Sequence, residues 1–203
     1  MEQRNWHRQT SVHNTVTLDN KNLETTESVT KLWQPEGNIQ TLVTENPSYK
    51  NFKHRRSVFF VDNTYFVIVD EVSGSAKGSV NLHYQMPKGE IANSREDMTF
   101  LTQFEDGSNM KLQCFGPEGM SMKKEPGWCS TAYRKRYKRM NVSFNVKKDN
   151  ENAVRYITVI YPVKKSADAP KFDAKFKNKT FDENGLEIEV KVNGKKQSLN
   201  YKL

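Results

Sequence analysis

The feature that most constrains the fold is an alternation of apolar and polar residues with a period of two. It is clearest in residues 142–146 and 186–192, where an apolar residue occupies every second position, and it recurs in residues 39–43. Successive side chains of a β-strand point to opposite faces, so this alternation is typical of strands that bury one face. Stretches with helical periodicity are scarce. The pattern therefore predicts an all-β protein with little helix.

A second group of segments is apolar on both faces. Residues 57–61, 65–72 and 156–163 are rich in Val, Ile, Phe and Tyr, which is typical of central strands in a layered core. Turn signals separate such runs: Asp-Asn at 62–63 predicts a tight hairpin, and Asn-Gly at 193–194 predicts a type I′ hairpin. We count about a dozen strands, and we predict a large antiparallel β-sandwich.

The composition changes at residues 164–170, after which the chain is rich in lysine and has only short strand patterns. We predict a single domain over residues 1–203, with the main sandwich in 1–165 and a terminal hairpin or small extra sheet in 166–203. A length of 203 residues is normal for one all-β domain. The longest apolar runs are far shorter than the roughly 20 residues of a transmembrane helix, so we expect no membrane partner.

Common catalytic motifs are missing from the sequence. It has no glycine-rich phosphate loop, no HExxH, no G-x-S-x-G and no cysteine pair at metal-binding spacing. Its two cysteines, Cys114 and Cys129, leave either one disulfide or two free thiols open. Any site must therefore be assembled from residues on different strands and loops, and the four histidines are the first candidates.

Two of the histidines occupy similar positions in the sequence. His13 and His54 each stand where a polar segment enters a β-strand pattern. If the two strand starts are adjacent, both imidazoles and a carboxylate of Glu24 or Glu27 would suit a divalent ion. The competing interpretation is two ordinary, partly buried histidines with hydrogen-bond partners. His83 alternates with polar positions, and we predict that it faces outward, where it could line a ligand surface.

The charge of the chain is strongly positive. A formal net charge of +8 attracts polyanions such as nucleic acid, anionic lipid or sulfated polysaccharide, and charge alone does not choose among them. The densest cluster is Arg-Lys-Arg-Tyr-Lys-Arg at residues 134–139. Its simplest interpretation is a solvated edge strand whose charges oppose aggregation. We expect no nucleic-acid partner, because no known reader motif is present.

An ordered set of motifs resembles the C-terminal domain of the heparinase II/III family of polysaccharide lyases. HNTVTLDNKNLE at residues 13–24 is followed by YKNFKHRRSVFFVDNTYFVIVDEVSGSAKGSVNLHYQMP at 49–87. In that family an H-N-T strand leads into D-G or D-N, and an H/Y-x-R strand and a V-D-E strand follow. The resemblance is specific over residues 6–87 and looser to about residue 162. Ser11 stands where some relatives have a further histidine, so the chain is most similar to the heparan-sulfate-cleaving heparinase III branch.

The resemblance implies part of an enzyme that cleaves heparin or heparan sulfate. The family joins this sandwich to an N-terminal (α/α) toroid, which this sequence does not include, and holds the polysaccharide between them. It implies β-elimination at a uronic acid, in which the C5 carboxylate is neutralised, the C5 proton removed and the leaving oxygen protonated. The acid and base belong to the toroid, so we expect this chain alone to be inactive and to have no catalytic residue. The alternative is a non-catalytic sandwich that binds acidic glycans or a protein partner.

The resemblance also implies a metal site and a location. A metal in the sandwich would be held by His13 and His54, with Glu27 as the nearest acid, because no aspartate stands at the family's intermediate spacing. The ion would be calcium or zinc, or no ion would be present. The lyase would be periplasmic or secreted, although the polar N-terminus shows no signal peptide.

The same resemblance gives the basic cluster a use. Guanidinium groups pair with sulfate and carboxylate, and tyrosine rings stack on sugar faces. An acidic polysaccharide is therefore the expected partner of the predicted substrate-binding residues, which are His83, Arg134, Lys135, Arg136 and Tyr137.

Overall fold

The computed structural model describes residues 2–203, and these are mainly strand. Strands contain 60% of the residues and helices 5%. The strands are β1 (Val16–Leu18), β2 (Val29–Gln34), β3 (Ile39–Tyr49), β4 (Phe52–Val61), β5 (Tyr65–Ser73), β6 (Gly78–Gln85), β7 (Ile91–Ser94), β8 (Thr99–Thr102), β9 (Asn109–Phe115), β10 (Ser121–Ala132), β11 (Lys135–Lys148), β12 (Val154–Val163), β13 (Phe172–Phe176), β14 (Gly185–Val192) and β15 (Lys195–Lys202). The helices are α1 (Glu2–His7) and single 3-10 turns at Thr10–Val12 and Ser166–Asp168. The predicted all-β sandwich with little helix is confirmed.

The strands form three antiparallel sheets. Sheet A has the order β1-β6-β11-β10, sheet B has the order β2-β3-β4-β5-β12-β9-β8-β7, and sheet C has the order β13-β14-β15. Sheet B is the middle layer, because its two faces contribute to two separate apolar clusters. This position explains why β4, β5 and β12 are apolar on both faces.

One core lies between sheets A and B, where Leu82 and Phe144 of sheet A pack in the same cluster as Leu112 and Tyr156 of sheet B. The other core lies between sheets B and C and contains the following fully buried side chains: Phe59, Val67, Val69, Ile157, Ile188, Val190 and Leu199. Burying a large apolar side chain contributes about 1.5–3 kcal/mol. Among residues 2–203 no helix is long and apolar enough to cross a membrane.

Two arginines, of which Arg55 is buried and Arg155 half-buried, attach the loop between β13 and β14 of sheet C to sheet B. Arg55 is 1% exposed and donates to the carbonyl oxygens of Asp182 and Glu183, both at 2.8 Å. Arg155 donates to Glu71 at 2.8 Å and to the carbonyl of Asn178 at 3.0 Å. The residues after 165 thus form a three-stranded sheet held by side chains of β4 and β12. The domain boundaries themselves stay a prediction.

Both predicted hairpins are present. The turn from β4 to β5 contains Asp62 and Asn63 with φ of 49° and 48°, and the turn from β14 to β15 contains Asn193 and Gly194 with φ of 49° and 81°. Positive φ at both central residues is the requirement that favours Asn and Gly in type I′ turns. The cysteines are free thiols, with Cys114 buried and Cys129 half-buried.

Strands β10 and β11 extend past the rest of sheet A. Strand β6 pairs with β11 only from Asn141 to Lys148, whereas β10 pairs with β11 from Lys135 onward. Residues 126–140 therefore form a two-stranded ribbon, which we call the arm. A two-stranded ribbon is marginally stable by itself, so contacts at its base determine how firmly it is held.

Candidate functional site

The segment of residues 11–15 crosses the end of sheet A and is tied to strand β6. The backbone N–H of His83 donates to the carbonyl of Thr15 at 2.9 Å. Gln85 donates twice, from its backbone N–H to Asn14 Oδ1 at 2.6 Å and from its side chain to the carbonyl of Ser11 at 3.0 Å. These bonds fix the backbone on both sides of His13.

Arg56 of sheet B also binds the segment of residues 11–15. Its Nη1 donates to the carbonyl of Asn14 at 2.5 Å, and its Nε and Nη2 donate to the carboxylate of Asp70 at 2.7 and 3.2 Å. His54 donates from Nε2 to the same Asp70 carboxylate at 2.6 Å. The structure thus links His54 to Asn14, the neighbour of His13, through Asp70 and Arg56.

Asp70 is the charged centre of this link. It is completely buried, which by itself would raise the pKa of its carboxyl. The opposing effects of the Arg56 charge and the His54 hydrogen bond prevail and lower the pKa from 3.8 to about 2. Burial opposes the charge of Arg56 as well, but the attraction of Asp70 leaves its pKa raised. Both partners therefore stay charged at neutral pH, as a buried ion pair must.

The pairing predicts a pH dependence of stability. A folded-state pKa of about 2, below the ordinary 3.8, means that the carboxylate stabilises the fold above about pH 4. We expect this contribution to be lost as the pH falls from about 4 to about 2. Urea unfolding midpoints measured across this range check it. Asp70→Asn should flatten the dependence there, and an unchanged slope in that variant would contradict the assignment.

His13 is exposed and lies beside an open cavity of about 580 Å³. Its Nε2 donates to the carbonyl of His7 at 3.2 Å. Other lining residues include Asn5, Arg8 and Asn22. Polar and basic side chains form part of the cavity wall, so an acidic or hydroxyl-bearing ligand would find hydrogen-bond donors there.

The proposed metal ligands do not form a ligand cluster. His54 is buried and directed at Asp70, whereas His13 and Glu27 are exposed. In the described part of the chain, no three His, Cys, Asp or Glu side chains are grouped to hold a metal ion. The Arg56 guanidinium already neutralises Asp70, the carboxylate nearest to His54. The described residues therefore show no ready-made ligand set, and calcium or zinc at His13, His54 and Glu27 stays a prediction.

The predicted exposure of His83 is wrong. It is 1% exposed, its Nε2 is hydrogen-bonded to Thr17 at 2.9 Å, and its Nδ1 lies 3.7 Å from Glu125. Alternation correctly gives a polar face of β6, but β1 and β11 flank this strand on both sides. The side chains of Thr17 on β1 and Glu125 on β10 lie against the imidazole. His83 therefore does not line a ligand surface in this fold.

The predicted substrate-binding run lies at the tip of the arm and on one of its strands. Arg134 occupies the turn with a φ of 58°, Lys135 and Arg136 are exposed, and Tyr137 is half-buried. This placement presents three cations to solvent on one projection. Each is free to pair with a sulfate or carboxylate group.

Aromatic rings are interleaved with the cations of the arm. The Arg136 guanidinium lies 3.8 Å from the centroid of the Trp128 ring, and Lys88 lies 4.6 Å from that of Tyr137. Tyr133, at the tip, is 87% exposed. Cation–π contacts of this kind hold side chains in place, and an exposed ring offers a face on which a sugar can stack.

The base of the arm joins the segment of residues 11–15. Arg139 donates to the carbonyl of Met86 at 3.1 Å and to the side chain of Gln85 at 2.9 Å. Gln85 is also the residue that binds Asn14 and Ser11. The arm and the His13 segment therefore lie at the same end of the sandwich and share an anchor.

The sequence analysis assigned no structural role to Arg56, Asp70, Gln85 or Arg139. A signal for Asp70 was present, because Asp70 and Glu71 interrupt an otherwise apolar strand of residues 65–72. Carboxylates in a buried strand need cationic partners. Both have one, in Arg56 and Arg155 respectively.

Comparison with known proteins agrees with the motifs. The family described as heparinase II/III-like, C-terminal, matches residues 1–175. The chain belongs to the heparinase II/III family. The predicted resemblance is confirmed.

Relatives within the family are longer proteins. A heparin-sulfate lyase of Bacteroides stercoris is 88% identical over 203 residues, which is all of this chain and 30% of that protein. A heparin-sulfate lyase of Pedobacter heparinus is 33% identical over 97% of this chain and 30% of its own length. The chain thus spans about a third of the relatives that it matches.

Solved structures share the whole architecture. A crystal structure of heparinase III matches with a TM-score of 0.94 and 30% identity, covering 100% of this chain and 31% of that one. The heparan sulfate lyase HepC from Pedobacter heparinus matches with a TM-score of 0.90 and 32% identity, covering 100% and 32%. The three-layer arrangement is therefore shared with these two structures.

Proposed function

We propose that this chain is the C-terminal β-sandwich of a heparan sulfate lyase and that it forms one wall of the substrate cleft. The observation that supports this most is the 88% identity to a heparin-sulfate lyase along the entire chain. At this identity the exposed side chains are largely shared as well as the core. The test is formation of unsaturated uronic acid from heparan sulfate by the full-length protein.

The geometry supports a binding and positioning role for this chain. The arm presents Arg134, Lys135 and Arg136 to solvent, and the segment with His13 lies at the same end. Sulfates and the uronic acid carboxylate would meet these cations. The acid and base for elimination would come from the N-terminal part of the full-length protein, so this chain alone would be inactive.

The proposed substrate also suggests where the lyase works. Heparan sulfate is a long, highly charged polysaccharide, and such a molecule does not cross a bilayer unaided. We therefore propose a periplasmic or secreted enzyme. Fractionation of cells that produce the full-length protein checks this location, and recovery in the cytoplasm alone would contradict it.

The arm should dominate binding to heparin. Replacing Arg134, Lys135 and Arg136 together with Ala should shorten retention on a heparin column and weaken its salt dependence, because fewer exposed ion pairs form. In the matched control, three exposed lysines of the sheet C region are replaced with Ala, so that the net charge changes by the same amount. These are Lys179, Lys195 and Lys202.

The two triple variants separate a local site from general attraction. We expect the arm variant to elute at clearly lower salt than the control variant. Equal elution of both would show that net charge alone determines binding and that the arm is only a solvated ribbon.

A further inference from the structure

Sheet A covers only part of the adjacent face of sheet B. At one end of that face a group of apolar side chains remains accessible, with Trp33 63% exposed and Phe66 42% exposed. Their neighbours Leu42, Val58 and Phe60 are half-buried. We call these five residues the apolar patch.

The strand register shows that the five residues share one face. Trp33 is opposite Leu42, Leu42 is opposite Val58, and Phe60 is opposite Phe66. The rings of Phe60 and Phe66 stack with centroids 4.5 Å apart. Directly opposed residues point to the same side of a sheet, as do residues two apart such as Val58 and Phe60. The patch is therefore continuous across β2, β3, β4 and β5.

The patch adjoins the candidate site. The next residue of β4 on this face is Arg56, two positions before Val58, and Arg56 binds the carbonyl of Asn14. On β5 the row continues from Phe66 to Ile68, which packs against the core between sheets A and B. The exposed apolar surface thus begins where the cover of sheet A ends.

A surface of this kind points to a protein partner. Contiguous exposed apolar patches mark interaction sites, and aromatic residues at their centre often dominate the binding energy. None of the five side chains carries a charge. A sulfated polysaccharide would have to lose water from its anionic groups here without any cation in exchange, which is unfavourable.

The lengths of the relatives indicate which protein segment could occupy it. This chain matches a C-terminal family and spans about 30% of its relatives, so most of each relative lies outside the matched region. We propose that the apolar patch is the docking surface for the N-terminal domain of the full-length protein, with Trp33 and Phe66 as its anchors. This inference rests on the proposed function, because it requires the longer protein.

Cysteine labelling in the full-length protein tests the docking. Phe66→Cys and, separately, Trp33→Cys are reacted with a maleimide, and labelling is followed peptide by peptide by mass spectrometry. Leu203→Cys is the matched control, because Leu203 is 39% exposed and follows β15 of sheet C, on the opposite side of sheet B. Docking predicts that both patch cysteines react at least about tenfold more slowly than the control, at all protein concentrations.

Three outcomes would overturn the docking. If the cysteines of both variants react as fast as the control, the surface is open, because each variant retains the other anchor. Protection that grows with protein concentration indicates a second copy, and protection that requires added heparan sulfate indicates the polysaccharide. Lyase activity of the same samples is scored separately, so an inactive protein with a protected patch rejects the proposed reaction and retains the docking. Because Trp33 is largely exposed, its variant does not depend on tolerance of a core substitution.

Discussion

Asp70→Asn is expected to lower the free energy of unfolding of this chain by about 3–5 kcal/mol, because it leaves Arg56 without its anionic partner. Asp70 is fully buried and receives hydrogen bonds from both Arg56 and His54. For a chain of this length the melting temperature should fall by roughly 10 °C. Urea unfolding followed by circular dichroism measures the change at pH 7.

The matched control is Asp173→Asn. Asp173 also forms a short ion pair, with Lys191 at 2.8 Å, but Asp173 is exposed on sheet C. Exposed pairs of this kind contribute little to stability, so its unfolding curve should overlay that of the unchanged chain. If the two substitutions change the free energy of unfolding equally, the buried contacts of Asp70 stabilise the fold no more than an exposed ion pair does.

Arg56→Lys in the full-length protein is expected to lower kcat/KM for heparan sulfate by about 10–100-fold, since misplacing a group by about 1 Å can cost up to about 100-fold. Lysine keeps the charge but lacks the planar fork that now spans Asp70 and the carbonyl of Asn14. The segment with His13 would then lose its support from sheet B. We expect heparin retention to stay unchanged, because the arm is intact.

Arg155→Lys is the control for general damage. Arg155 pairs with the buried Glu71 at 2.8 Å, but it also contacts Asn178 near sheet C, away from the His13 segment. The Arg155→Lys substitution should lower the free energy of unfolding without lowering the activity of the folded protein. If both variants lose kcat/KM to a similar extent at equal folded fraction, Arg56 does not position the segment with His13.

Local sequence patterns were enough to predict the all-β fold and the turns at 62–63 and 193–194, although they gave about a dozen strands where residues 2–203 contain fifteen. The pairing of Arg56 with Asp70 did not follow from them, because it depends on the length of the loop between β4 and β5. Once the turn at 62–63 closes the hairpin with Val61 opposite Tyr65, counting back along both strands places Arg56 opposite Asp70. The hairpin signal alone does not predict this register, because a two-residue loop at 62–63 would place Arg56 opposite Val69. The loop has three residues, 62–64, and this length brings Arg56 opposite Asp70.

Other features depend on contacts between distant parts of the chain. His83 is buried because Thr17, 66 positions earlier, lies against it. The arm projects because β6 stops at Gln85 while β10 and β11 continue. Alternation gives the face of a residue but not the length of the neighbouring strand. The burial of His83 and the projection of the arm could therefore not be predicted from the local sequence pattern.

The most direct test of the central claim is a cleavage assay with heparan sulfate on three samples: the full-length protein, this chain alone, and the full-length protein with Arg134, Lys135 and Arg136 replaced by Ala. We expect the full-length protein to release unsaturated uronic acid, this chain alone to release none, and the arm variant to show a raised KM, because substrate binding is weakened. A full-length protein that binds heparan sulfate but forms no unsaturated product would contradict the assignment of this chain to a lyase.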